Sequence, residues 1–147
     1  LSYKKNFEEF HPVKAKKTLA NAIQIGNPVS VNKAIKILKQ FDGIVEQASE
    51  DELANAVATV DRTGTFNCPH TGVALGVFLK LKERNIFKPD DRIVIISTAH
   101  GLKFVEFKIG YHQGELDGVF SKYANKPIEL PADYDAVTNA IFKNIND

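Results

Sequence analysis

A chain of 147 residues, 44% of them hydrophobic, is long enough for one domain with a core of its own. Its 19 basic and 18 acidic side chains leave a formal net charge of +1, which offers no electrostatic case for nucleic acid or an anionic membrane, so the expected partner is small. The one cysteine, Cys68, excludes an internal disulfide, no apolar run approaches the roughly 20 residues that span a bilayer, and the start lacks a signal peptide's apolar region. Together these features suggest a soluble intracellular chain, and the absence of any methionine suggests a processed product or an excised piece.

In chain order, residues 1–17 show neither a period of two nor one of 3.6, so they read as a surface connection. Lys4, Lys5, Lys14, Lys16 and Lys17 are interrupted by Glu8 and Glu9, as in a solvated loop. The uncharged stretch Thr18 to Gly26 implies burial. Asn27 or Ser30 then caps a helix in which Val31, Ala34, Ile35, Leu38 and Phe41 share a face, an amphipathic pattern suited to covering a sheet. Gly43 to Ala48 reads as a short strand, and Ser49 with Glu52 forms a capping box for a helix whose buried stripe is Leu53, Ala56, Val57 and Val60. The compact turn Phe66 to Gly72 precedes a helix that is apolar almost all round from Val73 to Leu81 and is therefore expected at the centre of the fold.

Ile93 to Ile96 is an unbroken branched apolar run of the kind expected for a strand buried on both faces. The order strand, helix, helix, strand predicts an α/β fold with a right-handed crossover. Ligands in such folds bind beyond the carboxyl ends of the strands, where Ser97, Thr98 and His100 stand. Gly101 follows, either for a positive φ or because something packs closely against it. The alternative is a strand-ending turn with a capping hydroxyl. Further on, Ile128 to Leu130 alternates as an edge strand would, and Asp133 can cap a last helix bearing Tyr134, Val137, Ile141 and Ile145.

Cys68 and His70 lie close together, but zinc needs about four ligands and a Cys-His catalytic pair normally joins separated segments, so a structural role is favoured. Gly72 and Gly76 fit close helix packing better than membrane dimerisation. No phosphate-cradling glycine loop is present.

Three segments, TLANAIQIGNP (18–28), TGTFNCPHTGVAL (63–75) and STAHGLKF (97–104), in this order and spacing, resemble the plant-like threonine synthases, pyridoxal-phosphate enzymes of the tryptophan-synthase β (fold type II) family. The resemblance spans most of the chain and thins after Tyr111. It implies a three-layer architecture with a mostly parallel sheet flanked by helices, residues 1–110 forming the C-terminal portion of the large cofactor domain and 111–147 an extension with a short strand and a helix. It implies that O-phospho-L-homoserine and water become L-threonine and phosphate. By the same resemblance Thr98 faces the pyridine nitrogen, where a hydroxyl can donate a hydrogen bond but is too weak an acid to protonate the ring.

Ala22, Ile23 and Gly26 are implied to border the cofactor ring, with His70 and Thr71 on the opposite wall and His100 and Lys103 where a phosphate-bearing substrate approaches. The Schiff-base lysine and the glycine-rich phosphate loop of the family have no counterpart here, so no lysine is assigned as catalytic. The chain is therefore expected to be an inactive C-terminal part whose partner is the missing N-terminal part. A homodimer is implied for the complete enzyme, in the cytoplasm, or in the plastid stroma for a plant source. The alternative is an autonomous, non-catalytic α/β domain that binds a small molecule at the Ser97 to Gly101 edge.

Overall fold

The computed structural model describes residues 3, 6, 7 and 9–145; Lys4, Lys5 and Glu8 of the basic arm lie outside the described residues. Among the described residues there are five α-helices: α1 (Val31–Gln40), α2 (Glu50–Asp61), α3 (Pro69–Glu83), α4 (Val105–Gln113) and α5 (Tyr134–Ile145). Short 3-10 turns form at Asn21–Ile23 and Gly101–Phe104.

The core is built on α2. Its start is fixed by the expected capping box: Ser49 Oγ accepts from the Glu52 N–H at 3.2 Å and Glu52 Oε2 accepts from the Ser49 N–H at 2.7 Å. Glu50, Asp51 and Glu52 put negative charge at the positive end of the helix dipole. The consecutive residues Leu53 to Ala58 are all buried, because the alanines among them let neighbours approach α2 from several directions. Leu53 and Val57 are almost wholly enclosed, which is worth roughly 2 kcal/mol apiece. Ala20, Phe107 and Tyr111 close the cluster.

Helix α3 lies against α2 through its two glycines, as expected. A Cβ on Gly72 would come within 2.6 Å of the Leu53 carbonyl oxygen, and one on Gly76 would meet Ala48 Cβ at 3.2 Å. The outer face of α3 stays open, with Leu79 40% exposed, so the most enclosed helix is α2 and not the apolar α3 that hydropathy selected. Polar bonds fasten the pair: Lys80 Nζ lies 2.9 Å from both Glu52 Oε2 and the Gln47 carbonyl, and Arg84 pairs with Glu46 at 2.5 Å.

Helix α4 was not anticipated. Its sequence, VEFKIGYHQ, has no one-sided apolar stripe, since a buried lysine interrupts it. Its end is nevertheless marked by Gly114 in the left-handed region, φ 75°, the usual conformation after a final helical turn. Asn55 ties the following chain to α2. Its Nδ2 donates to the Phe120 carbonyl at 3.0 Å, while its Oδ1 accepts from Tyr111 OH at 2.8 Å and from the Lys122 N–H at 3.1 Å.

The expected sheet is not formed among the described residues. Residues 43–48, 93–96 and 128–130 carry no ladder, and the one β pairing among the described residues is an isolated antiparallel bridge, Asn67 to His100. A run that reads as buried on both faces needs neighbours on both edges. Here Val94 is 86% and Ile96 73% exposed. Helix α1 likewise buries no residue, and Phe41 is open. Asp133 does cap α5, accepting the Ala136 N–H at 2.8 Å, yet α5 also buries none of its residues.

Candidate functional site

The turn before α3 and the chain after Ile96 are laced together. The Cys68 N–H donates to the Ala99 carbonyl at 3.2 Å, the Gly101 N–H donates to the Phe66 carbonyl at 2.8 Å, and Ser97 Oγ donates to Asn67 Oδ1 at 2.7 Å. Gly101 is required by close packing and not by a positive φ. A Cβ there would sit 2.8 Å from both Phe66 Cδ1 and Lys108 Cε and 3.0 Å from the Asn67 carbonyl oxygen.

Cys68 is the N-cap of α3, with Pro69 in the first turn, where the missing N–H costs nothing. Its sulfur accepts from the Thr71 N–H at 3.5 Å and lies 3.3 Å from Thr71 Oγ1 and 3.4 Å from Thr98 Oγ1. Thr71 Oγ1 in turn accepts the main-chain N–H of Thr98 at 3.2 Å. Burial pushes the thiol up from its ordinary value of 9, but hydrogen bonds from the Thr71 and Thr98 hydroxyls, the Thr71 N–H and His70 outweigh it and lower it to about 6. A position at a helix N-terminus works in the same direction.

His70 joins this cluster to the first segment: its Nε2 accepts the Ala22 N–H at 2.9 Å, and its ring meets Phe104 edge-on at 4.9 Å. His100 Nδ1 caps the Gly101–Phe104 turn by accepting the Leu102 N–H at 3.2 Å, and its ring packs against Phe66 at 5.6 Å. The chain therefore brings Ala22, His70, Thr71, Thr98 and His100 into one connected set. Thr71 is only 2% exposed, so its hydroxyl acts on Thr98 and Cys68 and not at the surface.

The Lys103 N–H donates to the His100 carbonyl at 3.2 Å, and the residue lines an open groove of about 730 Å³ with Lys17, Thr18, Asn21, Gln24 and Phe104. Ile23 is half exposed, and its N–H donates to the Ala20 carbonyl at 3.1 Å. Gly26 is held from outside the set: its carbonyl accepts the Val13 N–H at 3.0 Å, and a Cβ there would collide with the Val13 carbonyl.

Three contributors escaped the sequence reading. Cys68 fits neither zinc nor a catalytic pair, but its place just before a first-turn proline is the signal of the N-cap it forms. Asn67 carries Ser97, a contact across 30 residues with no local signal. Lys108 is buried, pairs with Asp61 and lies 4.4 Å from the centre of the Phe66 ring. Burial lowers its affinity for a proton, and the Asp61 carboxylate opposes that. Among the described residues no cluster of His, Cys, Asp or Glu could hold a metal ion, and no helix is long and apolar enough to cross a membrane.

Comparison with known proteins gives this arrangement its context. The chain is 46% identical over 142 residues, 96% of its length, to threonine synthase 2, chloroplastic, of Arabidopsis thaliana. It is 35% identical over 103 residues, 69% of its length, to a threonine synthase of Methanocaldococcus jannaschii, and 29% identical over 110 residues, 74% of its length, to one of Bacillus sp. (strain ULM1). It spans 28%, 25% and 31% of those relatives, respectively. The model of the family described as pyridoxal-phosphate dependent enzyme matches residues 3–99, from the basic arm to the turn that holds Thr98. The chain belongs to the pyridoxal-phosphate dependent enzyme family.

Proposed function

We propose that this chain supplies the C-terminal portion of a threonine synthase and forms one wall of a site where O-phospho-L-homoserine and water become L-threonine and phosphate. The reading is carried by the meeting of three separated segments: the Ala22 N–H bonds to His70, next to it Thr71 holds the main chain of Thr98, and Phe104 packs on the His70 ring. The named relatives support the choice of reaction.

The donor set fits one side of pyridoxal phosphate. Thr98 is exposed, and its hydroxyl has the Cys68 sulfur as its partner, which leaves capacity for a ring nitrogen. When bound, the cofactor supplies an electron sink for negative charge that develops on the substrate carbon next to its amino group. Thr98 would hold the ring nitrogen by donating a hydrogen bond, without transferring the proton. Ala22 would border the ring, its backbone fixed by His70, while Ile23 and Gly26 shape the loop that carries it. Lys103, on the neighbouring groove, and His100 would meet a phosphate-bearing substrate, the lysine through its charge and the histidine as a ring N–H donor. No glycine turn in this chain suits the cofactor phosphate, and among the described residues no lysine side chain is hydrogen-bonded to the Thr98 set. Both groups are assigned to the preceding three-quarters of the relatives' length.

The same assignment accounts for the apolar stretches left open. Residues 43–48 and 93–96 would enter a mostly parallel sheet whose other strands precede this chain, with α1 covering it, so that Val94, Ile96 and Phe41 become buried. Residues 1–110 would complete the large cofactor domain and 111–147 extend it, in an enzyme that pairs as a homodimer. The compartment follows the source: the cytoplasm, or the plastid stroma in a plant, as for the relative named chloroplastic.

The chain is tested by incubation with pyridoxal phosphate, reduction with borohydride and peptide mapping. The expected result is scattered labelling of surface lysines; one stoichiometrically labelled lysine would place a complete cofactor centre in this chain and refute the proposal.

A further inference from the structure

The contact between Thr98 Oγ1 and Cys68 Sγ pairs the hydroxyl of an exposed threonine with a buried sulfur, and the two atoms share protons in a way that depends on charge. A neutral thiol has one proton to donate. A thiolate has none and accepts from both neighbouring hydroxyls. Thr71 completes the arrangement: its hydroxyl lies 3.3 Å from the sulfur and accepts the Thr98 N–H at 3.2 Å, so Thr98 is held by main chain and side chain together.

We propose that Cys68 and Thr71 are positioning residues for Thr98, the sulfur setting whether the Thr98 hydroxyl donates outward to a bound ligand or inward to the protein. This rests on the reading that Thr98 faces the cofactor ring. With the thiol protonated, S–H donates to Thr98 Oγ1, and the hydroxyl keeps its own proton for an acceptor nitrogen outside. When the thiol loses that proton to solvent, the Thr98 O–H turns to the sulfur and the outward donor disappears. No covalent bond to carbon forms or breaks, and the one proton released is the thiol's.

The charged and titratable neighbours are His70 on α3, Lys108 on α4 with its partner Asp61 on α2, and His100 across the bridge from Asn67. The thiol value of about 6 places the change near neutrality. A ligand that takes the Thr98 proton competes with the thiolate for it, so by linkage its binding raises the thiol pKa.

Because Cys68 is the only cysteine, its thiolate absorbance in the ultraviolet can be titrated in the chain itself, without cofactor. The wild type is expected to titrate near 6, and Thr98→Val to titrate about one pH unit higher, the equivalent of one charge-assisted hydrogen bond lost from the thiolate. Thr98→Ser, which keeps the hydroxyl, is expected to restore the original midpoint, a rescue that a merely structural contact would not produce. An unchanged midpoint in Thr98→Val, with a native circular dichroism spectrum, would overturn the inference. Thr98 is exposed, so its replacement leaves the core intact. Since no cofactor is present, this failure is separate from failure of the Thr98-to-ring assignment, which a cofactor spectrum decides.

Discussion

The ion pair of Lys108 with Asp61 allows the sharpest test of what holds the site in place. The two side chains are only 7% and 12% exposed, and Asp61 Oδ1 also accepts the Asn67 N–H at 3.0 Å, so one carboxylate neutralises a buried ammonium and anchors the turn that carries Cys68. Asp61→Ala strands the Lys108 charge, which costs about 3–5 kcal/mol in comparable buried pairs, and leaves the Asn67 N–H without its partner. The terms overlap, so about 4 kcal/mol is the expected loss. The double variant Asp61→Asn with Lys108→Met removes both charges and keeps an acceptor for Asn67. It should lie within about 1 kcal/mol of wild type, because removing the ion pair also removes its desolvation cost. Urea unfolding at neutral pH, followed by circular dichroism and fluorescence to confirm one transition, measures both. An Asp61→Ala loss below about 1 kcal/mol would refute the view that Asp61 compensates a buried charge.

Other expectations follow from the same structure. Asn55→Ala removes the links to Phe120, Tyr111 and Lys122 and should cost about 3 kcal/mol, with amide exchange accelerated at 120–123 before the rest of the chain. Ser49→Ala deletes the α2 cap and should lower stability by about 1 kcal/mol in the same urea assay. Burial, and after it the Lys108 ammonium, hold His112 below its ordinary value of 6.5, and its Nδ1 accepts the Asn125 N–H at 3.0 Å. The stability it contributes is therefore complete above pH 6.5 and lost as pH falls through the folded value, so exchange at Asn125 should quicken on acidification; a flat profile would contradict this. With the remainder of the enzyme present, Thr98→Ala should lower turnover roughly tenfold while leaving stability nearly unchanged. Thr98→Asp should shift the cofactor absorbance, since a carboxylate favours a protonated ring nitrogen.

Local signals in the sequence carried over where the physics is local, except that Ser30 precedes α1 without a side-chain cap bond. Ser49 with Glu52, Asp133 before α5, and the glycines at 72 and 76 each act within a turn or two, and each is found as expected. The Ser97 to Gly101 stretch reads as a binding edge and the resemblance puts His70 and Thr71 on the opposite wall; the structure joins the two segments through Thr71 and Thr98. Long-range polar features were invisible, because Asn55 meeting Phe120 or Lys108 meeting Asp61 leaves no periodic trace. α4 was missed for that reason, a buried lysine having erased its apolar stripe. The strands at 43–48 and 93–96 were read from hydrophobicity, which reports the need for burial but not whether the neighbours that satisfy it lie in the same stretch of chain. Lys103, near Thr98 in sequence, bonds through its main chain to His100 and also lines the groove formed with Lys17 and Asn21.

The central claim, that this chain is the C-terminal wall of a threonine synthase, is tested most directly by a chimera in which it replaces the matching C-terminal stretch of the Arabidopsis relative. Phosphate release from O-phospho-L-homoserine would be measured together with threonine formation. The account predicts both products in equal amounts, their rate falling in Thr98→Ala, and no release from the chain alone. A chimera that folds and retains pyridoxal phosphate but releases no phosphate would contradict it.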